Sequence, residues 1–338
     1  MAHKMRHATI GDLLGIRRYK RKYRVLRLDP PYTFIQPGSH TFDLWRSQAL
    51  PRTRSSFAYV YVERGAVLGY VQARCGWHTR EEWTITTMGV LERAPSLVMD
   101  QLLEQVCREA GQAGALRIFA KVPEETPGLN LFRGLGFTHY TSEEIWGNLY
   151  FGQSGTLSGE PAHDGLRRQR RQDAWDVMKL YSSLTPPAVQ RAENLDSREW
   201  QRGIVVRPLS MLQGLTERAY VWADENDHHS LGGYARLLTG KGGHWISLLF
   251  KPDGTNRRFY PRALDFVLWK ASQQGSKPVY CGVREYQGEL AGELGSRGFH
   301  CLSNQALLVK YMAVPVKSRQ PAMLPFLVPK AQELAGRQ

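Results

Sequence analysis

The sequence predicts two α/β domains in tandem, each built on a mixed sheet with helices on its faces (α+β in character). Two observations carry this expectation, a long-period repeat and an alternation of strand-like with helix-like segments inside each copy. The opening Met5-Arg6-His7-Ala8-Thr9-Ile10-Gly11-Asp12-Leu13-Leu14-Gly15-Ile16 returns as Leu166-Arg167-Arg168-Gln169-Arg170-Arg171-Gln172-Asp173-Ala174-Trp175-Asp176-Val177. Further landmarks follow in the same order. Pro30-Pro31 and Trp45 answer Pro186-Pro187 and Trp200, Ala58-Tyr59-Val60 answers Ala219-Tyr220-Val221, Trp83 answers Trp245, and Gly136-Phe137 answers Gly298-Phe299. The offset stays between about 155 and 165 residues, which is the size of a domain and not of a solenoid unit.

In the first copy residues 5 to 9 make a short strand, and Thr9 is an N-cap for a helix from Ile10 to about Tyr23. Alternation over Ser56 to Glu63 and Ala66 to Cys75 around Glu63-Arg64-Gly65 signals a hairpin. Glu82 to Val90 is a third strand. Pro95-Ser96 opens a helix in which Leu97, Val98, Leu102, Leu103 and Val106 recur at helical spacing as far as Gly111 and Gly114. Leu116 to Val122 is an apolar strand, Pro127 to Leu135 a short helix, and Phe137 to Trp146 a final strand pair. The same order recurs after residue 165. The expected division is therefore 1–150 and 165–315, joined by a Gly/Ser/Pro-containing linker at 151–164 and followed by a Pro-containing tail at 316–338.

The chain has 338 residues, 42% of them hydrophobic, which suits two ordinary globular cores. Cys75, Cys107, Cys281 and Cys301 have no CxxC spacing and lie in apolar segments, so buried reduced thiols and a cytoplasmic address are expected. No apolar run is long enough to span a bilayer, no Cys/His/Asp cluster has the spacing of a metal site, and the adjacent His228-His229 read as loop residues. The formal charge of +14 is concentrated in Arg17 to Arg24 and Arg167 to Arg171. On a helix continuing to Tyr23, Arg17, Arg21 and Arg24 share one face with Lys20 beside it, a candidate surface for a polyanion such as RNA, a ribosomal surface or an acidic protein.

With this element order, both copies resemble the GNAT family of acetyl-CoA-dependent N-acyltransferases. The resemblance rests on Arg6-x-Ala8-Thr9-x-x-Asp12-Leu13-x-x-Ile16 at the start and Leu131-Phe132-Arg133-Gly134-Leu135-Gly136-Phe137 at the close, with a looser counterpart in Leu290 to Phe299. It implies two tandem GNAT-like domains, acetyl-CoA as acyl donor and an amine acceptor, and the absence of a metal-site cluster leaves no metal to be expected beside them. It also implies three site components. A phosphate cradle of the form Arg/Gln-x-x-Gly-x-Gly/Ala falls on Arg93-Ala94-Pro95-Ser96-Leu97-Val98 and on Arg258-Phe259-Tyr260-Pro261-Arg262-Ala263. Ser and Val replace both small positions in the first, and Pro261 removes an N–H from the second. Arg93, Ser96, Leu97, Val98, Arg258, Arg262 and Ala263 are thus the cofactor candidates.

The acid for a departing thiolate falls on Phe132 and Leu294, which have no proton to give, leaving Tyr140 and Tyr286 as nearby substitutes. The base for the amine falls on Glu82, after Glu81, and on His244. Acyl transfer to an amine is the expected activity. The alternative is a tandem protein that has lost catalysis and binds a polyanionic partner through its basic helices. The segments Pro30 to Ser55 and Pro186 to Glu217 are where the resemblance places acceptor selection.

Overall fold

The computed structural model describes residues 4–18, 20–36, 56–76, 81–152, 165–201, 214–223, 230–251 and 259–312. The first half runs β1 (Lys4–His7), α1 (Ile10–Arg18), a single 3-10 turn (Lys20–Lys22), β2 (Tyr23–Arg27), α2 (Pro30–Ile35), β3 (Ser56–Glu63), β4 (Ala66–Cys75), β5 (Glu82–Leu91), α3 (Leu97–Gln112), β6 (Arg117–Pro123), α4 (Gly128–Gly134) and β7 (Thr138–Asn148). The second runs β8 (Leu166–Arg168), α5 (Ala174–Leu184), α6 (Pro187–Glu193), β9 (Thr216–Ala223), β10 (Leu231–Thr239), β11 (His244–Phe250), α7 (Phe259–Ser272), β12 (Val279–Arg284), α8 (Gly288–Gly295) and β13 (His300–Tyr311).

Local chemistry accounts for the repeated pieces. Arg6 grips Asp12 with two bonds of 2.6 and 2.8 Å, and Arg167 grips Asp173 at the same two distances. Each aspartate also accepts the backbone N–H three residues before it, from Thr9 and Arg170. Strand and helix are thereby locked at a fixed angle in both copies, with Asp as the shared acceptor. Thr9 does not cap in the expected manner; its hydroxyl donates to Asp12. The first hairpin turns through Arg64 and Gly65, both left-handed, as a two-residue turn with the twist of its strands requires. Gly136 and Gly298 are also left-handed, and the phenylalanine after each is buried.

The strands form one 13-stranded sheet in the order β1-β3-β4-β5-β6-β13-β7-β12-β11-β10-β9-β8, with β2 added beside β5. At its centre the last strands of the halves have changed places. β13 lies against β6 of the first half, and β7 lies against β12 of the second, while β7 and β13 pair with each other. Ala306 and Leu308 of β13 consequently belong to the core of the first half, and Trp146 of β7 lies against the core of the second. The expected final strand pair over Phe137 to Trp146 is instead a single strand, whose partners come from the other half. Helix α2 crosses over too: Ile35 and Phe34 sit with Trp245 and Tyr280, and the Ile35 carbonyl accepts from Gly242 N–H. Gly240 is required there, because a Cβ would collide with that carbonyl oxygen.

Two further expectations are corrected. The first helix stops at Arg18, and Tyr23 to Arg27 form a strand, because Tyr23 and Val25 alternate into a core and β5 offers an open edge. Arg24 therefore lies on a strand, and Arg17, Arg21 and Arg24 share no helical face. Cys301 is exposed, whereas Cys75, Cys107 and Cys281 are buried free thiols. Most of the expected linker and the whole tail lie outside the described residues.

The exchange makes each half incomplete alone. Removing β13 from the first half exposes Leu308 and opens one edge of β6, and each buried leucine contributes about 1.5–3 kcal/mol. A fragment of residues 1–150 is expected to show no cooperative thermal unfolding by circular dichroism. Mixing it with a fragment beginning at residue 165 should restore the transition. A cooperative transition of the isolated fragment would show the exchange to be dispensable.

A pH effect follows from the two aspartates. Burial pushes the Asp12 and Asp173 carboxyls up, but the arginine and backbone donors outweigh it and hold both below the usual carboxylate range. A depressed folded-state pKa stabilises above the unfolded value and is lost as pH falls through the folded one. Asp12→Asn and Asp173→Asn are expected to cost about 1–3 kcal/mol each at pH 7 in denaturant titrations. The gap from wild type should close below pH ~4; a gap independent of pH would contradict the assignment.

Candidate functional site

Each half contains a wedge between two parallel strands. β5 and β6 pair only over Glu82 to Thr84, and β11 and β12 only over His244 to Ile246. Beyond those residues the partners diverge toward their C-terminal ends, so the facing edges lose their backbone partners.

The two wedges differ. In the first half β2 runs antiparallel along β5 from Tyr23 opposite Leu91 to Arg27 opposite Thr87, and the pairing extends to Leu28 N–H on the Thr86 carbonyl at 2.9 Å. β4 holds the other edge of the same residues, so β2 stands on the edge that β6 has left. In the second half, among the described residues, no strand pairs β11 on that edge beyond Ile246. There the side chain of Gln287 spans the gap and donates to the Leu248 carbonyl at 3.0 Å.

At the mouth of the second wedge, where β12 ends, an ionic group gathers from four separated segments. Arg284 points Nε at Glu143 (3.2 Å) and Nη2 at Glu193 (2.9 Å). Lys121 reaches the other oxygen of Glu143 at 2.7 Å. Glu193, the last residue of α6, also accepts the hydroxyls of Tyr181 at 2.8 Å and Tyr140 at 3.3 Å. Tyr286 adjoins the same charges. Two carboxylates facing an arginine and a lysine keep the group charged without a net excess, which a half-buried setting demands.

The electrostatics follow from that arrangement. Burial pushes the Glu143 carboxyl up, but Lys121 and Arg284 more than compensate and hold it below its ordinary value. Burial would lower the Arg284 guanidinium; Glu193 and Glu143 reverse this and raise it well above the usual value. Tyr140, Tyr181 and Tyr286 are all raised, by burial first and by the Glu193 carboxylate among the charges. Their hydroxyls remain protonated donors near neutral pH. Arg284 Nη1 is buried with no hydrogen-bond partner among the described residues, an unused donor in the group.

The site draws on both halves through a β-bulge. Pairing of β7 with β13 skips Tyr140 on one strand and Leu302 on the other, and an extra residue of this kind re-aims a side chain. Tyr140 and Leu302 occupy equivalent places, with the spacing that separates Trp83 from Trp245. By the same spacing Glu143, Arg284 and Tyr286 correspond to Gln305, Val122 and Glu124. The charged group thus exists at the second wedge and has no counterpart at the first.

The residues singled out from sequence fall in different places. Tyr140 and Tyr286, from opposite halves, come together around Glu193 and Arg284. Glu82 and His244 begin β5 and β11, at the paired end of each wedge and away from its mouth. Glu82 pairs with Arg117 at 3.2 Å. His244 is fully buried, with Nδ1 2.9 Å from Thr239 Oγ1 and Nε2 3.2 Å from the Gly275 carbonyl, and burial lowers its pKa. Since that carbonyl can only accept, Nε2 carries the proton.

In the first cradle Arg93, Ser96 and Leu97 are exposed, but Val98 is a core residue whose methyl would meet a Cβ on Gly69. The N–H groups of Val98 and Met99 already bond to Pro95 and Ser96, and Asp100 adds negative charge to the first turn of α3. In the second, Arg262 is exposed and Ala263 buried in α7, which has no acidic residue in its first turn, while Arg258 lies outside the described residues. Arg21 and Arg24 are exposed, and the side chains of Arg17 and Lys20 are outside the described set. No group of metal-ligating residues and no helix long and apolar enough to cross a membrane occurs among the described residues.

No family model matches the sequence, and no curated protein does so. Solved structures match along nearly the whole chain. A GCN5-related N-acetyltransferase from Sphaerobacter thermophilus superposes with TM-score 0.56 at 14% identity, covering 91% of this chain and 95% of its own. A tandem GNAT protein from the clavulanic acid biosynthesis pathway gives 0.55 at 13%, covering 92% and 98%. A putative acetyltransferase from Pyrococcus horikoshii gives 0.54 at 13%, covering 92% and 90%. At such identities the likeness speaks for architecture alone, and that architecture spans both halves together. The chain has the tandem GNAT fold.

Proposed function

We propose that the protein is an acyl-CoA-dependent acyltransferase acting on an amine, with its active centre at the second wedge. One observation carries the proposal: the Tyr140–Glu193–Arg284–Glu143 group stands at the mouth of the wedge whose strand edge is open. The donor fits there on structural grounds. The edge beyond Ile246 has no strand partner among the described residues, and α7 begins with exposed Arg262 and no acidic residue, so the phosphates meet positive charge near a helix N-terminus. When bound, acyl-CoA supplies an acyl carbon activated as a thioester.

The residues of the chain do the rest. Glu193 is the carboxylate placed to take the proton that an amine nitrogen loses on acylation. Arg284 and the hydroxyls of Tyr181 and Tyr140 orient Glu193, and Arg284 also neutralises it until the proton arrives. Tyr286, whose phenol stays protonated, is the hydrogen-bond donor toward negative charge developing on oxygen or sulfur, since the single proton of Tyr140 is given to Glu193. Burial makes full proton transfer from the Tyr286 phenol costly, so its contribution is hydrogen bonding. Glu82 and His244, bonded at the far end of their strands, have structural roles in this scheme.

Saturating acetyl-CoA is expected to raise the melting temperature, since ligand at a hundred times its Kd adds about 2.7 kcal/mol. The absence of any shift with acetyl-, longer acyl- or free CoA would remove the proposal. Glu193→Gln should lower kcat by roughly 10²–10⁴-fold while leaving acyl-CoA affinity within about twofold. His244→Gln should reduce stability and leave kcat per folded molecule unchanged; the opposite ranking of the two variants would return the base to His244.

A further inference from the structure

The first wedge has been closed by the chain itself. We propose that β2 is a permanent occupant of the site that the second half keeps open, so that the protein takes one acyl-CoA per chain and its first half binds none. The proposal rests on the preceding one for the identity of the ligand, and on the topology alone for the closure.

Three observations converge. β2 satisfies the diverging edge of β5 over its whole free length. Hydrogen-bonded pairs alternate in an antiparallel ladder, and the bonds from Glu92 N–H to the Lys22 carbonyl and from Leu28 N–H to the Thr86 carbonyl set the phase. Arg24 and Leu26 therefore face Val90 and Met88 as hydrogen-bonded pairs. Next, the strand is anchored by side chains on both faces. Tyr23 is buried, donates to the Val67 carbonyl at 2.7 Å and meets Tyr70 edge to face. Leu28 is fully buried in the main core, and Leu26 lies so close to α4 that a Cβ on Gly128 would stand 2.8 Å from its Cδ1. The ion pair of Asp29 with Arg74 at 2.7 Å holds the exit.

The third observation is the comparison of the halves. From the end of the first helix to the start of the second, the first half runs from Arg18 to Pro30, where the second needs only Leu184 to Pro187 and goes from α5 into α6 without a strand. The extra segment is the plug. With it in place, the polar residues of the second mouth are matched in the first by Leu302, Gln305, Val122 and Glu124. A closed wedge has no use for a charged mouth.

Two measurements test this on the full-length protein. Hydrogen exchange read by NMR should slow the amides of Arg24, Leu26 and Leu28 by on the order of a thousandfold or more relative to free peptide, as for the β3–β4 hairpin, with or without acetyl-CoA. Exchange at loop rates, or deprotection on adding acetyl-CoA, would overturn the proposal. This arm judges the closure even for a protein that binds no acyl-CoA, an outcome that would sink only the preceding section. Calorimetry with acetyl-CoA should give one site per chain. The double variant Arg27→Cys/Thr87→Cys places a disulfide across a non-hydrogen-bonded pair of β2 and β5, and oxidising it should leave stoichiometry and affinity unchanged. Two sites per chain, or the loss of a site on oxidation, would show that β2 is a door.

Discussion

The pairing of β7 with β13 is the constraint on which the rest of the molecule depends. It joins the two halves along their last strands and sends each strand onward into the sheet of the other. The core of the first half is filled partly by Ala306 and Leu308, and the second is flanked by Trp146. Domain stabilities are only about 5–15 kcal/mol, so a half that gave up several such contacts and one paired edge would retain little. The crossover of α2 onto Trp245 and Tyr280 adds a second tie of the same kind.

The exchange also builds the charged centre. Tyr140 and Glu143 arrive on β7, Lys121 on β6, Arg284 at the end of β12, and Tyr181 and Glu193 on two helices of the second half. No short segment contains enough of these residues to announce the group. Charge balance explains why it tolerates burial: each carboxylate faces a cation, and the phenols supply further donors. A guanidinium shared between two carboxylates is costly to remove, since loss of one partner from a buried ionic set typically destabilises by about 3–5 kcal/mol.

Much of the fold was legible in the sequence for physical reasons. Alternation over Ser56–Glu63 and Ala66–Cys75, the turn at Glu63-Arg64-Gly65 between them, and the helical spacing of Val98, Leu102, Leu103 and Val106 are local signals, and they were met. β2 was not legible, because the basic run Arg17 to Arg24 reads as a solvated helix and conceals the alternation of Tyr23 with Val25. The strand exchange was also hidden, since a repeat says which segments are equivalent and not which copy they pair with. Of the candidate site residues, Tyr140 and Tyr286 were placed beside charge that no spacing rule revealed. Glu82 and His244 were read as matching positions at the start of corresponding strands, and they open β5 and β11, but which end of a parallel pair diverges is a property of the sheet.

The bulges at Tyr140 and Leu302 have an evolutionary consequence. In a duplicated chain whose last strands have traded places, the position of a residue in the gene and the sheet it serves no longer belong to the same copy. A change at residue 140 is inherited with the first repeat and felt by the second, and a change at 302 does the reverse. Under the closure proposed above, the copy whose own wedge is filled by β2 is held under selection by the wedge of its twin. It cannot be deleted, or drift freely along β7, without disturbing the charged group at the end of β12 in the other half.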